Sequence, residues 1–194
     1  MVRAAEDDRQ RAILDAALAK FSAYGFARTS MADIAEAAGM SRPALYQHYG
    51  NKEEIFRAML GRILDDAAND ALAALAADGE LTTQLEGFLQ RWSGDLTERL
   101  WATEHGADLV EAKAGHAKWV TDAVNRRIRT MVKRHLAAVA APDVDVASLV
   151  DLLLLSPLGF KYDEPSLPRF RRRLDALART IAGAARPSPV HGDG

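Results

Sequence analysis

Cysteine is absent from this 194-residue sequence. Its absence excludes disulfides, thiolate catalysis and Cys-type zinc sites, and fits a cytoplasmic protein. Long apolar runs are missing too. The four consecutive leucines Leu152–Leu155 fall far short of the roughly 20 residues that span a bilayer, so no membrane partner is expected. The opening MVRAAEDDRQ is polar and acidic and does not read as a signal peptide. Neither sign of charge is in excess: the net charge is −2, and residues 1–62 carry nine Lys/Arg against eight Asp/Glu. That balance argues against a general nucleic-acid coat. Binding to nucleic acid would have to come from a few well-placed cations, helix N-termini and a dimer that doubles the contacts. No nucleophile elbow, Gly-rich phosphate loop or spaced carboxylate pair is visible, so no enzyme motif and no cofactor is implied. His105, Asp108, Glu111 and His116 come nearest to a metal set. Without a His-x-x-x-His pair they read as polar residues of a helix surface, and no metal is expected.

What the sequence has is helical periodicity, with hydrophobic residues at 48%, enough for a core. Thr29 to Lys52, TSMADIAEAAGMSRPALYQHYGNK, reads as two short helices around a tight turn, leading into a third. Ser30 can cap the first, accepting from an orphan N–H of its opening turn. Met31, Ile34, Ala35 and Ala38 follow on one face. Gly39 is the residue best able to take the left-handed conformation that ends a helix. Ser41 can cap the second helix, and Pro43 sits early in it, where a missing N–H costs little. Leu45 and Tyr49, at i and i+4, form the face that holds it down, and Arg42, Pro43, Ala44, Gln47 and His48 point elsewhere. Gly50 breaks the run and Asn51 caps a longer helix that opens Lys52-Glu53-Glu54.

Ser30-Met31-Ala32-Asp33-Ile34-Ala35, Gly39-Met40-Ser41, Leu45-Tyr46-Gln47-His48-Tyr49 and Asn51-Lys52-Glu53-Glu54, in this order and spacing, resemble the DNA-binding domain of the TetR (tetracycline-repressor-like) family. The resemblance covers about residues 9–56. Beyond residue 60 it is architectural.

The rest of the chain also reads as helix. Residues 1–8 are expected to be disordered. Arg9 to Tyr24 is amphipathic through Ile13, Leu14, Ala17, Leu18 and Phe21, with Gly25 ending it. Lys52 to about Ala77 carries an unbroken apolar stripe. Leu81 to about Thr103 is weakened by Gly87 and Gly94, which favour a kink. A shorter helix is expected over Glu104–Lys113, and a clear one over His116–Val139. A helix capped by Asp145 and an amphipathic last helix with Arg171, Arg172 and Arg173 facing outward complete the chain. The fold expected is all-α with about nine helices. Residues 1–51 would form a helix-turn-helix DNA-binding domain, 52–186 a helical ligand-binding and dimerisation domain, and 187–194 a flexible tail.

Three sites follow. In the recognition helix, Arg42 can donate twice to guanine O6 and N7, Pro43 and Ala44 can pack on a thymine methyl, and Gln47 can read adenine. The resemblance implies base-side contacts at Arg42, Pro43, Ala44 and His48, and phosphate contacts at Thr29, Tyr46 and Lys52. Ser41, at the N-terminus of the same helix, belongs with them. The resemblance also implies an effector site between the long helix and the next three. The candidates there are Met59, Ile63, Phe88, Trp92, Trp101, His105 and Trp119, with Val120 and the polar Glu104, Asp108, His116 and Asn125 nearby. Ordinary core packing is the competing reading of each. Third, the segment Val146–Phe160 is apolar nearly all round. The resemblance implies that this helix and the last one form a four-helix homodimer interface, with Leu149, Leu152, Leu153, Phe170, Leu174, Leu177 and Ile181 as the expected contacts.

The expected function is a ligand-responsive, homodimeric transcriptional regulator acting as a repressor. It would be released from a palindromic double-stranded operator by a small apolar or aromatic effector. The alternatives are an activator of the same fold, a helical sensor or carrier without specific DNA binding, and a helical enzyme using His105 or His116 with Asp108.

Overall fold

The computed structural model describes residues 2–102, 105, 118–162 and 166–186, except for the side chains of 2–6, 100 and 101. Every regular element among these is helical: α1 (Val2–Arg28), α2 (Met31–Ala37), α3 (Arg42–His48), α4 (Lys52–Leu75), α5 (Leu81–Leu89), a π-helical stretch (Gln90–Asp95), α6 (Leu96–Trp101), α7 (Lys118–Val139), α8 (Val146–Gly159) and α9 (Leu167–Ala184). The helix expected at Glu104–Lys113, the start of the one expected at His116, and the tail 187–194 lie outside the described residues.

Two elements differ from expectation for local reasons. Helix α1 starts at Val2, where disorder was expected over residues 1–8. The opening stretch contains neither Gly nor Pro, and Arg3, Ala4, Ala5 and Glu6 are good helix formers. Gly25 does break the helical geometry, at φ 78 and ψ 159, with a short helical turn continuing to Arg28. The weak region of the fifth helix is a π-helical stretch that includes Gly94. A Cβ at Gly94 would sit 2.8 Å from both Arg171 Nη1 and Gln90 Oε1, so any other residue there would require those two side-chain ends to shift.

The chain divides into two compact units. One takes in Met1–Asp66 and the described part of residues 99–123, the other Ala67–Glu98 and the described part of residues 124–194. The core of the first is formed by Ile13, Leu14, Ala17 and Phe21 of α1, Met31, Ile34 and Ala35 of α2, Leu45 of α3, and Ile55, Phe56 and Met59 of α4. Phe21, Phe26 and Phe56 meet pairwise with centroids 5.0–5.7 Å apart, two of the pairs edge to face. That geometry suits the aromatic quadrupole. An Arg62–Asp15 ion pair ties α4 to α1 at the surface.

In the second unit, α9 packs against α5, the π-helical stretch and α8. Buried residues there include Leu85, Phe88 and Leu89, Val124, Ile128, Val132 and Leu136, Leu149, Val150 and Leu153, and Phe170, Leu174, Ala178 and Ile181. The seven residues expected at a four-helix interface are placed unequally within the subunit. Leu149, Leu153, Phe170, Leu174 and Ile181 belong to the subunit's own core, and Leu177 is half-buried. Of the expected set only Leu152 is open to solvent, at 53% exposure, beside Leu155 at 52% and Leu158 at 62%. Periodicity could not separate the faces of α8, because leucines occupy both.

Arg171 also departs from the outward orientation expected of it. Its guanidinium donates to Gln90 Oε1 (2.7 Å), Asp95 Oδ1 (2.8 Å) and Glu98 Oε2 (2.7 Å). Gln90 Nε2 in turn donates to Arg171 O (3.1 Å) and Asp175 Oδ1 (2.6 Å). Arg173 donates to Phe160 O at 2.7 Å, while Arg172 is exposed.

Candidate nucleic-acid interface

Helix α2 is set by its two ends. Ser30 Oγ accepts from Asp33 N at 3.3 Å, while Asp33 Oδ2 accepts from Ser30 N at 2.8 Å and from Ser30 Oγ at 2.7 Å. The two residues form a reciprocal capping box. Those bonds hold the Asp33 carboxyl below the usual aspartate range, the Ser30 hydroxyl contributing most. The Ser-x-x-Asp spacing was visible in the sequence, but only the Ser30 half was read. At the other end Gly39 sits at φ 66. Gly39 N donates to Glu36 O (3.1 Å) and Met40 N to Ala35 O (3.0 Å), which is a Schellman closure.

Helix α3 follows after a single turn. Ser41 caps it, its hydroxyl accepting from Ala44 N at 3.3 Å, and Pro43 occupies the first turn. Leu45 is fully buried and pins the helix to the core. Tyr49 ends the helix, half-buried, and burial pushes its phenol pKa up. On the opposite side Arg42, Pro43, Tyr46 and Gln47 are all exposed. Positions i, i+1, i+4 and i+5 share one helix face, so these four form a single outward strip. Ala44 and His48 flank it, half-buried. No hydrogen bond or ion pair engages Arg42 among the described residues, and Tyr46 keeps 47% of its surface exposed. Helix α4 then opens with a second cap: Asn51 Oδ1 accepts from Glu54 N (2.8 Å), and Glu54 Oε2 accepts from Gly50 N (2.8 Å). Glu54 is a functional partner that the sequence reading missed, although its Asn-x-x-Glu spacing carried the signal.

Two residues expected on phosphates are placed differently. Thr29 is buried at 2% exposure, and its hydroxyl donates to Gly25 O at 2.9 Å, with Lys20 O the alternative acceptor at 3.3 Å. Its side chain is turned into the protein, where it closes the end of α1. Lys52 is half-buried, and its ammonium donates to the carbonyls of Phe26 (2.9 Å), Ala27 (3.2 Å) and Thr29 (3.1 Å). Burial and distant sequence partners hid both roles from a local reading.

The expected effector residues fall in both units. Met59 and Ile63 pack with the core of the first unit. Phe88 is fully buried in the second unit, and Trp92 is half-buried. His105 is half-buried and Val120 buried. Trp119 is 65% exposed. The side chain of Trp101, and Glu104, Asp108, Glu111 and His116, lie outside the described residues.

Residues 13–59 match the family described as "Bacterial regulatory proteins, tetR family". The chain is 46% identical over 54 residues to the transcriptional repressor ComR of Escherichia coli, covering 28% of this chain and 26% of that protein. It is 38% identical over 81 residues to the regulator TtgR of Pseudomonas putida, covering 40% and 39%. These two alignments thus span about a quarter to two-fifths of the relatives' length. A longer match reaches the repressor AcnR of Corynebacterium jeikeium, with 30% identity over 162 residues, 78% of this chain and 80% of the relative. Among solved structures, the fold is similar to SmeT of Stenotrophomonas maltophilia, described as the repressor of a multidrug efflux pump. The TM-score is 0.65 at 20% identity, over 88% of each chain. The capped helix pair with its exposed strip on α3, the matched family segment and the long alignment agree: this chain belongs to the TetR family of bacterial regulatory proteins.

Proposed function

We propose that this protein is a homodimeric transcriptional repressor that binds a palindromic operator and leaves it when a small apolar or aromatic effector binds. The observation that carries the reading is the strip Arg42, Pro43, Tyr46 and Gln47, exposed on a helix that is capped at its start and anchored by fully buried Leu45. Arg42 and Gln47 carry the donors that read guanine and adenine edges, Pro43 meets a thymine methyl, and Tyr46 reaches a phosphate with a hydroxyl on a stiff ring. Ser41 and Ala44 bring the N-terminus of α3 to the groove, and His48 flanks the strip.

A single seven-residue helix contacts few base pairs, and residues 1–50 carry six Lys/Arg against six Asp/Glu. The contacts therefore have to be doubled by symmetry. The exposed leucines Leu152, Leu155 and Leu158 on α8 offer the apolar surface for a two-fold contact. The half-sites would then be centred about 34–36 Å apart, or a multiple of that. An effector that binds better to the form unable to span them shifts the population off DNA, and DNA weakens effector binding by the same factor.

Fluorescence anisotropy with DNA flanking the protein's own gene, at two salt concentrations and against random DNA, tests the reading. A large excess of affinity for the flanking fragment is expected. If that fragment and a pool of selected random sequences both show no preference, the repressor reading fails in favour of a sensor or carrier.

A further inference from the structure

The π-helical turn Gln90–Asp95 lies inside the second unit, and the helix-turn-helix makes no use of it. Such a turn holds one residue more than the α-helix it interrupts, so every later residue is carried round the axis by about 100°. π turns are rare and cluster at functional sites. Arg171 of α9 holds this one from outside the helix. Its guanidinium donates to Gln90 Oε1 at the start of the turn (2.7 Å), to Asp95 Oδ1 at its end (2.8 Å) and to Glu98 Oε2 just beyond (2.7 Å). Gly94 allows the approach, because a Cβ there would lie 2.8 Å from both Arg171 Nη1 and Gln90 Oε1. Gln90 Nε2 completes the hub by donating to Arg171 O (3.1 Å) and Asp175 Oδ1 (2.6 Å). Bonds from a guanidinium to carboxylates are stronger than neutral ones and fixed in direction. These are made only while Asp95 and Glu98 face α9.

Thr97 pulls the other way. It is buried at 1% exposure, and its hydroxyl has no hydrogen-bond partner among the described residues. A buried hydroxyl left unpaired is destabilising. Two other helical threonines of this chain avoid that: Thr130 donates to Arg126 O and Thr180 to Ala176 O, each four residues back and at 2.9 Å. The matching acceptor for Thr97 is Ser93 O, which lies within the π turn and takes the amide of Leu96 instead. A continuous α-helix would bring that carbonyl under the Thr97 hydroxyl, and would turn Asp95 and Glu98 about 100° away from Arg171. Each register therefore satisfies groups that the other leaves unpaired. Glu98 is also the last residue of the second unit before the chain passes to the first at Arg99, so the register fixes the direction in which the chain leaves.

We propose that Gln90–Glu98 is a two-register element and that Arg171 is its positioning residue: the guanidinium holds the π register, the Thr97 hydroxyl favours the α register, and the balance between them sets operator affinity. The effect on DNA rests on the regulator reading, whereas the registers themselves belong to the free protein. A small molecule that binds one register better shifts the balance by its difference in affinity for the two.

The test compares full-length wild type, Arg171→Met, Thr97→Val and the double variant, by crystal structures of the free proteins and by anisotropy on a selected operator. Arg171→Met should adopt a continuous α-helix over residues 90–98, with Thr97 Oγ1 on Ser93 O, and its operator affinity should change about fivefold or more. Adding Thr97→Val removes what the α register gains, so the double variant should move back toward the wild-type affinity. Thr97→Val alone keeps the π turn and should melt about 2–4 °C higher, since it deletes an unpaired hydroxyl. Gly94→Ala keeps every charge and displaces the guanidinium, so it gives the same reading if Arg171→Met does not fold. A π turn that persists in Arg171→Met, or a double variant no closer to wild type than the single one, overturns the proposal. An Arg171 that merely anchored α9 would cause a loss that Thr97→Val does not restore. A wild type without specific DNA binding is a distinct failure: it removes the regulator reading and the effect on affinity, while the crystal structures still decide the two registers.

Discussion

Replacing Arg42 with alanine isolates base reading from folding, because the side chain does nothing for the fold. It is exposed, no bond engages it among the described residues, and it sits at the first position of α3. A cation there faces the positive pole of the helix, which costs about 0.3–1 kcal/mol. Arg42→Ala should therefore leave thermal stability unchanged or raise it slightly. On DNA the effect runs the other way. One bidentate contact discriminates against a wrong base by about 1–3 kcal/mol, and a symmetric dimer makes it twice, so about 2–6 kcal/mol is at stake. At about 1.4 kcal/mol per tenfold, the operator affinity should fall roughly 30-fold or more, while affinity for random DNA falls only by the share of one charge per head. The assay is anisotropy with a labelled operator, with random DNA, and with operators changed one base pair at a time in both half-sites. In the variant one symmetric pair of positions should lose its discrimination. Equal losses on operator and random DNA would refute base reading by Arg42 and make it a backbone contact.

Other expectations follow from the same geometry. Ser30→Ala removes the capping box of a seven-residue helix and should cost about 1 kcal/mol, seen as a lower melting temperature; an unchanged value would mean that packing alone holds α2. Leu155→Glu puts a charge on the exposed apolar strip of α8 and should yield monomers by sedimentation together with weaker operator binding; a persistent dimer would place the interface elsewhere. His135, whose Nε2 lies 2.9 Å from Gln84 Oε1, is held below the usual histidine pKa by burial. The unfolded chain then takes up a proton more readily than the folded one, so stability is full above about pH 6.5 and declines as pH falls below it. His135→Gln should flatten that decline in melts between pH 7 and 5, and an identical pH profile would remove His135 as its source.

Which parts of the site were legible depended on how far apart the interacting groups lie in sequence. Ser30, Gly39, Ser41 and Asn51 act on backbone groups within about five residues, so spacing and side-chain chemistry were enough to place them. Asp33 and Glu54 had equally local signals in their x-x spacing to the caps. Leu45 was legible because it recurs with Tyr49 at i and i+4 as the face that holds α3 down. That division put Arg42, Pro43, Ala44, Gln47 and His48 on the free side; in the folded chain Arg42, Pro43 and Gln47 are exposed there together with Tyr46, while Ala44 and His48 are half-buried.

The sequence by itself determined that the chain is helical, where its short helices start and stop, and which face of α3 is free, because hydrogen bonds between near neighbours and a 3.6-residue period decide those things. Tertiary structure alone decided the fates of Thr29, Lys52, Arg171, Leu152 and Leu153. A long cation reaches whichever carbonyl or carboxylate packing brings near, here 23–26 residues away for Lys52 and 73–81 for Arg171. Two adjacent leucines on a helix apolar nearly all round are equivalent until a neighbouring helix covers one of them. Periodicity reports that a face is greasy. Only the packed chain says whether its own core or a second molecule will take it.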